Sequence, residues 1–142
     1  MNPKSGEKGQ EKAKYLQVQL DEVLNRMNRQ GDFRASIIST VDGFTIASVS
    51  SQFDDVVMSA ISSIVQEASR RAEQYIGFKR MDEVSLVDDD KFRLVCREFS
   101  VNESQFILIV VVPPYKTYRR LTNVAIREIE KILDKKRNQS DE

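Results

Sequence analysis

The chain has 142 residues, with 22 basic and 22 acidic side chains and no net charge, so one domain with one core is expected. It contains no histidine and a single cysteine. That composition excludes imidazole bases, Ser-His-Asp and Cys-His nucleophile pairs, histidine-ligated zinc and an internal disulfide. The neutral balance supplies no field for holding nucleic acid or an anionic membrane. Cys96 follows Leu94 and Val95 and reads as a packed thiol, compatible with a reducing cytosol. The polar N-terminus lacks the apolar core of a signal peptide, and the longest apolar run, 106–112, is far shorter than the ~20 residues of a membrane span. No membrane insertion and a cytoplasmic location are expected.

Residues 1–12 are rich in Lys, Gly, Glu and Gln and read as a flexible tail; residues 138–142 read as a flexible end, leaving 13–137 as the domain. A first helix is expected over 13–30, because Leu16, Leu20, Val23, Leu24 and Met27 recur at helical steps. Gly31 would end it in the left-handed conformation. The period then changes. Two β-branched runs, 33–41 and 44–50, flank Asp42-Gly43, the strongest local signal in the chain and a hairpin turn. The Asp42 carboxylate is expected to bond nearby backbone N–H groups.

Asp54 or Asp55 offers a cap for a long helix over 56–76, closed by Gly77. Two stripes run along it. Val57, Ile61, Ile64, Ala68 and Tyr75 form the heavier one, expected to pack on the sheet. Met58, Ser62, Val65, Ser69 and Ala72 form a smaller-residue stripe, suited to close approach by a second helix. Three strands follow at 82–87, 92–99 and 105–112, with turns at Asp88-Asp89-Asp90-Lys91 and Asn102-Glu103-Ser104. The unbroken apolar run of the last predicts a central strand covered on both faces. Pro113-Pro114 stops it, and a closing helix over 115–135 buries Tyr118, Leu121, Ala125, Ile129, Ile132 and Leu133. Its outer side is basic, with Lys116, Arg119, Arg120, Arg127, Lys131, Lys135 and Lys136. The order is α-β-β-α-β-β-β-α, an α+β fold with a mainly antiparallel sheet. One helix covers one face and the two terminal helices the other.

Little here points to chemistry. The Asp88–Asp90 run lacks the ligand spacing and bend glycine of a Ca²⁺ loop and reads as a solvated turn. No phosphate-binding GxxxxGK[ST] or GxGxxG run exists. Arg70-Arg71 and Arg119-Arg120 could serve as arginine fingers toward a nucleotide held by another protein, but such pairs are more often surface charge. Glu128, Glu130 and Asp134 interrupt the basic stripe of the last helix, so no dedicated nucleic-acid reader is indicated. No catalytic residue, metal ligand or cofactor site is assigned.

At residues 34–50, RASIISTVDGFTIASVS, the chain resembles the roadblock/dynein-light-chain family, which includes MglB-type regulators of Ras-like small GTPases. The resemblance spans 15–133 and rests on element order and on the Asp42-Gly43 turn between apolar strands. Arg34, before Ala35, departs from the Gly found there in many members. The resemblance implies a roadblock/longin-like three-layer sandwich with a five-stranded antiparallel sheet. It also implies a homodimer built from the middle helices and the edge strand at 81–87, with Met81, Glu83, Val84, Ser85 and Leu86 at the interface. Val84 and Leu86 would anchor that strand to its own core. Met58, Ser62, Val65, Ser69 and Ala72 would supply the helical contact, so Val65→Asp is expected to weaken dimerisation. The implied function is a non-catalytic platform for a Ras-like small GTPase; a second roadblock-type chain is a further implied partner. The alternative is a structural adaptor in a motor or scaffold complex, indifferent to nucleotide.

Overall fold

The computed structural model describes residues 3–49 and 54–140, and the side-chain surroundings of residues 8–49, 54 and 58–134. Five strands form one antiparallel sheet: β1 (Ala35–Thr40), β2 (Thr45–Val49), β3 (Val84–Val87), β4 (Arg93–Val101) and β5 (Ser104–Val112). Their spatial order is β2-β1-β5-β4-β3. The apolar run of β5 is therefore central, as its lack of alternation predicts. Helices α1 (Pro3–Gly31) and α3 (Arg119–Ser140) lie on one face and α2 (Asp55–Ile76) on the other.

The pleat explains the layers. Leu108, Val110 and Val112 of β5 point into the core shared with Leu20, Leu24 and Ile129 of the terminal helices. Ile107 and Ile109 point the other way, toward Met58 and Val65 of α2. Both faces of β5 are thus dry, and each fully buried aliphatic side chain contributes about 1.5–3 kcal/mol.

The β1–β2 hairpin turns as expected at Asp42-Gly43, with Gly43 at φ 95°. The Gly43 N–H donates to the Thr40 carbonyl at 3.0 Å. A Cβ on Gly43 would come within 2.9 Å of Ser63 Oγ on α2, so the turn needs glycine for close approach as well as for φ. The side-chain cap is Thr40 rather than Asp42: its hydroxyl accepts the Phe44 N–H at 3.1 Å.

Several boundaries depart from the sequence reading. Helix α1 begins at Pro3 rather than 13: Pro3 fits the first turn, and the Lys, Glu and Gln residues among 4–12 extend an already anchored helix despite Gly6 and Gly9. It ends differently too. Asp32, at φ 57°, takes the left-handed position, while Gly31 is buried where a Cβ would strike the Phe33 ring. Strand β3 begins at Val84 rather than 82, and α3 begins at Arg119 rather than 115, after Tyr115 turns at φ 64°. Helix α3 runs on to Ser140; Val57, Lys135 and Lys136 lie outside the residues whose side chains are described.

Candidate partner-binding surface

Helix α2 presents the stripe opposite to the expected one. Met58, Ser59, Ser62, Val65 and Ser69 are buried against the sheet. Ile64 and Tyr75 are 70% and 76% exposed, and Ala60 and Ala68 lie on the same outward side. The reason is local satisfaction of the serines. Ser62 Oγ donates to the Ser59 carbonyl at 2.7 Å and Ser69 Oγ to the Val65 carbonyl at 3.1 Å. Bonded within their own helix, these hydroxyls carry little burial penalty, and their small size lets α2 settle close on the sheet. Thr45 and Ser59 pair their hydroxyls at 2.6 Å, fixing the helix to β2. Met58, Ser62, Val65 and Ser69 are therefore spent on the chain's own core, and Ala72 is half-buried at its margin.

The edge strand is β3, the outermost strand on its side of the sheet. Val84 packs on the α2-side core as expected, whereas Leu86 is 54% exposed and does not anchor the strand. Val87, Phe78 and Ile76 add exposed apolar surface in the same stretch of chain. Met81 and Glu83 lie before the strand, in the irregular segment 77–83. The Met81 N–H donates to Glu73 at 3.1 Å, and Glu83 accepts the Tyr118 hydroxyl at 2.7 Å and Arg119 at 2.9 Å. Those bonds draw the segment toward α2 and α3 and off a strand path. Ser85 accepts from Arg93 at 3.1 Å.

Around this edge lies a charged cluster that no sequence motif marks. Arg97, 6% exposed, donates to Thr122 Oγ1 at 2.8 Å, Asn123 Oδ1 at 2.6 Å and Asp82 Oδ1 at 3.0 Å. Asp82 also accepts Arg119 at 2.5 Å. The Arg119 bond, then the Arg97 bond, hold the Asp82 carboxyl below the ordinary carboxylate range. Burial, then the Glu83 bond, push the Tyr118 hydroxyl upward. The cluster ties the entry to β3 onto the N-terminus of α3, where carboxylates also meet the favourable end of the helix dipole.

Three solved structures share this architecture at low sequence identity. Myxococcus xanthus MglB matches with a TM-score of 0.66 and 14% identity, over 86% of this chain and 90% of that one. The gliding protein MglB from Thermus thermophilus matches at 0.63 and 15% identity, over 82% and 90%. A roadblock/LC7 domain from Streptomyces avermitilis matches at 0.60 and 12% identity, over 86% and 98%. The fold is that of the roadblock/LC7 domain. No protein-family model and no curated protein matches the sequence.

On this roadblock fold the sequence-predicted candidates separate. The β3 residues Val84, Ser85 and Leu86 do sit together at the open edge. The small-residue stripe does not join them. Arg70 and Arg71 both pair with Glu67 of their own helix, at 2.7 and 3.3 Å, on an exposed surface. Asp88 serves its turn, accepting the Phe92 N–H at 2.8 Å. Among the described residues no group of three or more His, Cys, Asp or Glu side chains could hold a metal ion, and no helix is long and apolar enough to cross a membrane.

Cys96 is buried in the α2-side core, and burial, then Glu83 and Glu98, push its thiol up to about 12. An unfolded thiol ionises near ~8.5. Between those values the unfolded chain loses the proton and the folded chain keeps it, so this stabilising contribution is full below about pH 8.5 and falls as pH rises. Ellman's reagent at pH 8 is therefore expected to react with Cys96 only at the rate of unfolding. Fast labelling of the folded protein would place the thiol at the surface.

Proposed function

We propose that the chain acts in the cytoplasm as a homodimeric, non-catalytic platform that binds and regulates a Ras-like small GTPase. The observation that carries the reading is a pair of uncovered surfaces on a roadblock/LC7 fold, the outward face of α2 with Ile64 and Tyr75 and the open β3 edge. Two copies can bury that face around a two-fold axis and pair their β3 strands, joining both sheets. The interface set shifts accordingly. Ile64, Ala68 and Tyr75 take the place of Met58, Ser62, Val65 and Ser69, while Val84, Ser85 and Leu86 keep theirs.

Regulation then follows from differential binding. A platform that holds the GTP-bound switch conformation more tightly raises its population by the ratio of the two affinities. Arg70 and Arg71 are held by Glu67, and Arg119 by Asp82 and Glu83. We ascribe any acceleration of hydrolysis to positioning of the GTPase's own groups.

The test is affinity capture on the immobilised chain, run in parallel with GDP and with a non-hydrolysable GTP analogue. The expected result is a small GTPase at least tenfold enriched with the analogue. Equal recovery in both states overturns regulation and leaves a nucleotide-indifferent adaptor.

A further inference from the structure

Strand β3 covers only half of β4. Their ladder runs from Val84 opposite Cys96 to Val87 opposite Arg93, while β4 continues beside β5 to Val101. Residues 97–101 thus have a strand on one side only. The two-residue turn Asn102-Glu103 sets Val101 opposite Ser104, and the residues flanking such a turn exchange both backbone bonds. Counted back by twos from that turn, Val101, Phe99 and Arg97 bond to β5, and Glu98 and Ser100 turn their N–H and C=O groups outward. Among the described residues, no backbone hydrogen bond reaches them from segment 77–83. An unpaired strand edge of this kind is a template for an added strand.

A cavity flanks the free stretch on each face of the sheet. The one beside α3, about 500 Å³, is lined by Arg97, Asn123 and Arg127 among others. The one beside α2, about 430 Å³, carries Asp42, Gln66, Arg70, Glu73, Arg80 and Glu98. Gln66 is only 8% exposed and lines this second cavity. Asp42, Glu73 and Glu98, three carboxylates, face two cations, Arg70 and Arg80. The α2-side cavity is therefore short of positive charge. Burial and the like charge of Glu73 raise the Glu98 carboxyl by more than Arg80 and Arg70 lower it, so a further cation beside it is favoured.

We propose that the free half of β4 docks an extended peptide segment bearing a lysine or arginine. The peptide backbone pairs with Glu98 and Ser100, and its cationic side chain enters the α2-side cavity to meet Glu98 and Gln66. The pleat supports the match: Glu98 lies on the α2 face with Cys96, and a peptide residue directly opposite it points to the same side. Binding there needs no nucleotide.

The probe is a fluorescein-labelled peptide of about seven residues, the length of a strand, alternating threonine and valine around one central lysine. Controls carry glutamate at the centre, or lysine with alternate backbone nitrogens methylated. Anisotropy and amide chemical shifts of the full chain are read together. The lysine peptide is expected to bind at least tenfold more tightly than either control, moving the Glu98 and Ser100 amides and the Gln66 side-chain amide. Glu98→Gln, which keeps the shape of the side chain, is expected to reduce that affinity about tenfold. Equal affinity for the lysine and glutamate peptides overturns the proposal. So do unmoved Glu98 and Ser100 amides at millimolar lysine peptide, or undiminished binding of the methylated peptide.

Discussion

Val65→Asp is expected to destabilise the fold by about 4 kcal/mol, the combined cost of a lost apolar contact and an unpartnered buried carboxylate. Val65 sits in the α2-side core with Ile37, Cys96, Ile107 and Ile109. Its neighbour Ile64 points the other way and is exposed. Ile64→Asp is therefore expected to leave the fold of each protomer intact and to weaken dimerisation about a hundredfold, as for a central interface residue. Urea unfolding followed by circular dichroism, beside sedimentation of the same two variants, separates the effects. A folded Val65→Asp monomer would restore the stripe read from the sequence and contradict the packing described above.

Arg97→Ala is expected to cost about 2 kcal/mol, from the lost packing and hydrogen bonds of a buried side chain, because Asp82 is largely exposed and keeps Arg119. The substitution strands Thr122 and Asn123 without their donor and leaves Asp82 to Arg119 alone. Release of segment 77–83 should accompany it, seen as faster amide exchange through the start of β3. Arg97→Met is expected to recover part of the loss, because an apolar side chain of similar length fills the space without a charge to satisfy. Arg70→Ala provides the contrast. Its exposed pair with Glu67 is screened, and its removal is expected to change stability by less than about 0.5 kcal/mol. Equal effects from Arg97→Ala and Arg70→Ala would show that the buried cluster holds nothing together.

The order of elements was legible because its signals are local. Asp42-Gly43 names its hairpin, the apolar run ending at Val112 names a central strand, and Gly77 closes α2 at φ 83°. The facing of α2 was not legible from hydrophobicity. Serines score as polar, yet Ser62 and Ser69 are buried because each bonds to a carbonyl of its own helix. Of the heavier stripe, Ile61 still packs against the α2-side core as expected, while Ile64, Ala68 and Tyr75 turn outward and are open to a partner. Gly31 illustrates a similar limit: its role depends on the Phe33 ring, a contact that helix-ending rules do not contain.

Arg97 had a usable signal. Alternation along β4 puts it on the face of Val95 and Phe99, both buried, so an inward cation in need of partners was implied. The identity of those partners was not, since Asp82, Thr122 and Asn123 come from separate parts of the chain. The half-paired edge of β4 was hidden for a related reason. From the sequence the two strands span 82–87 and 92–99, and only the ladder shows that β3 starts at Val84 while β4 runs on to Val101.

The platform exists only if two copies associate through the outward face of α2 and the β3 edge. Sedimentation velocity of the unmodified chain, from about 1 to 100 µM, tests this most directly. A mass twice that of one chain, falling to the single-chain value in Ile64→Asp, is the expected result. A single-chain mass at every concentration, or a dimer untouched by Ile64→Asp, would contradict it.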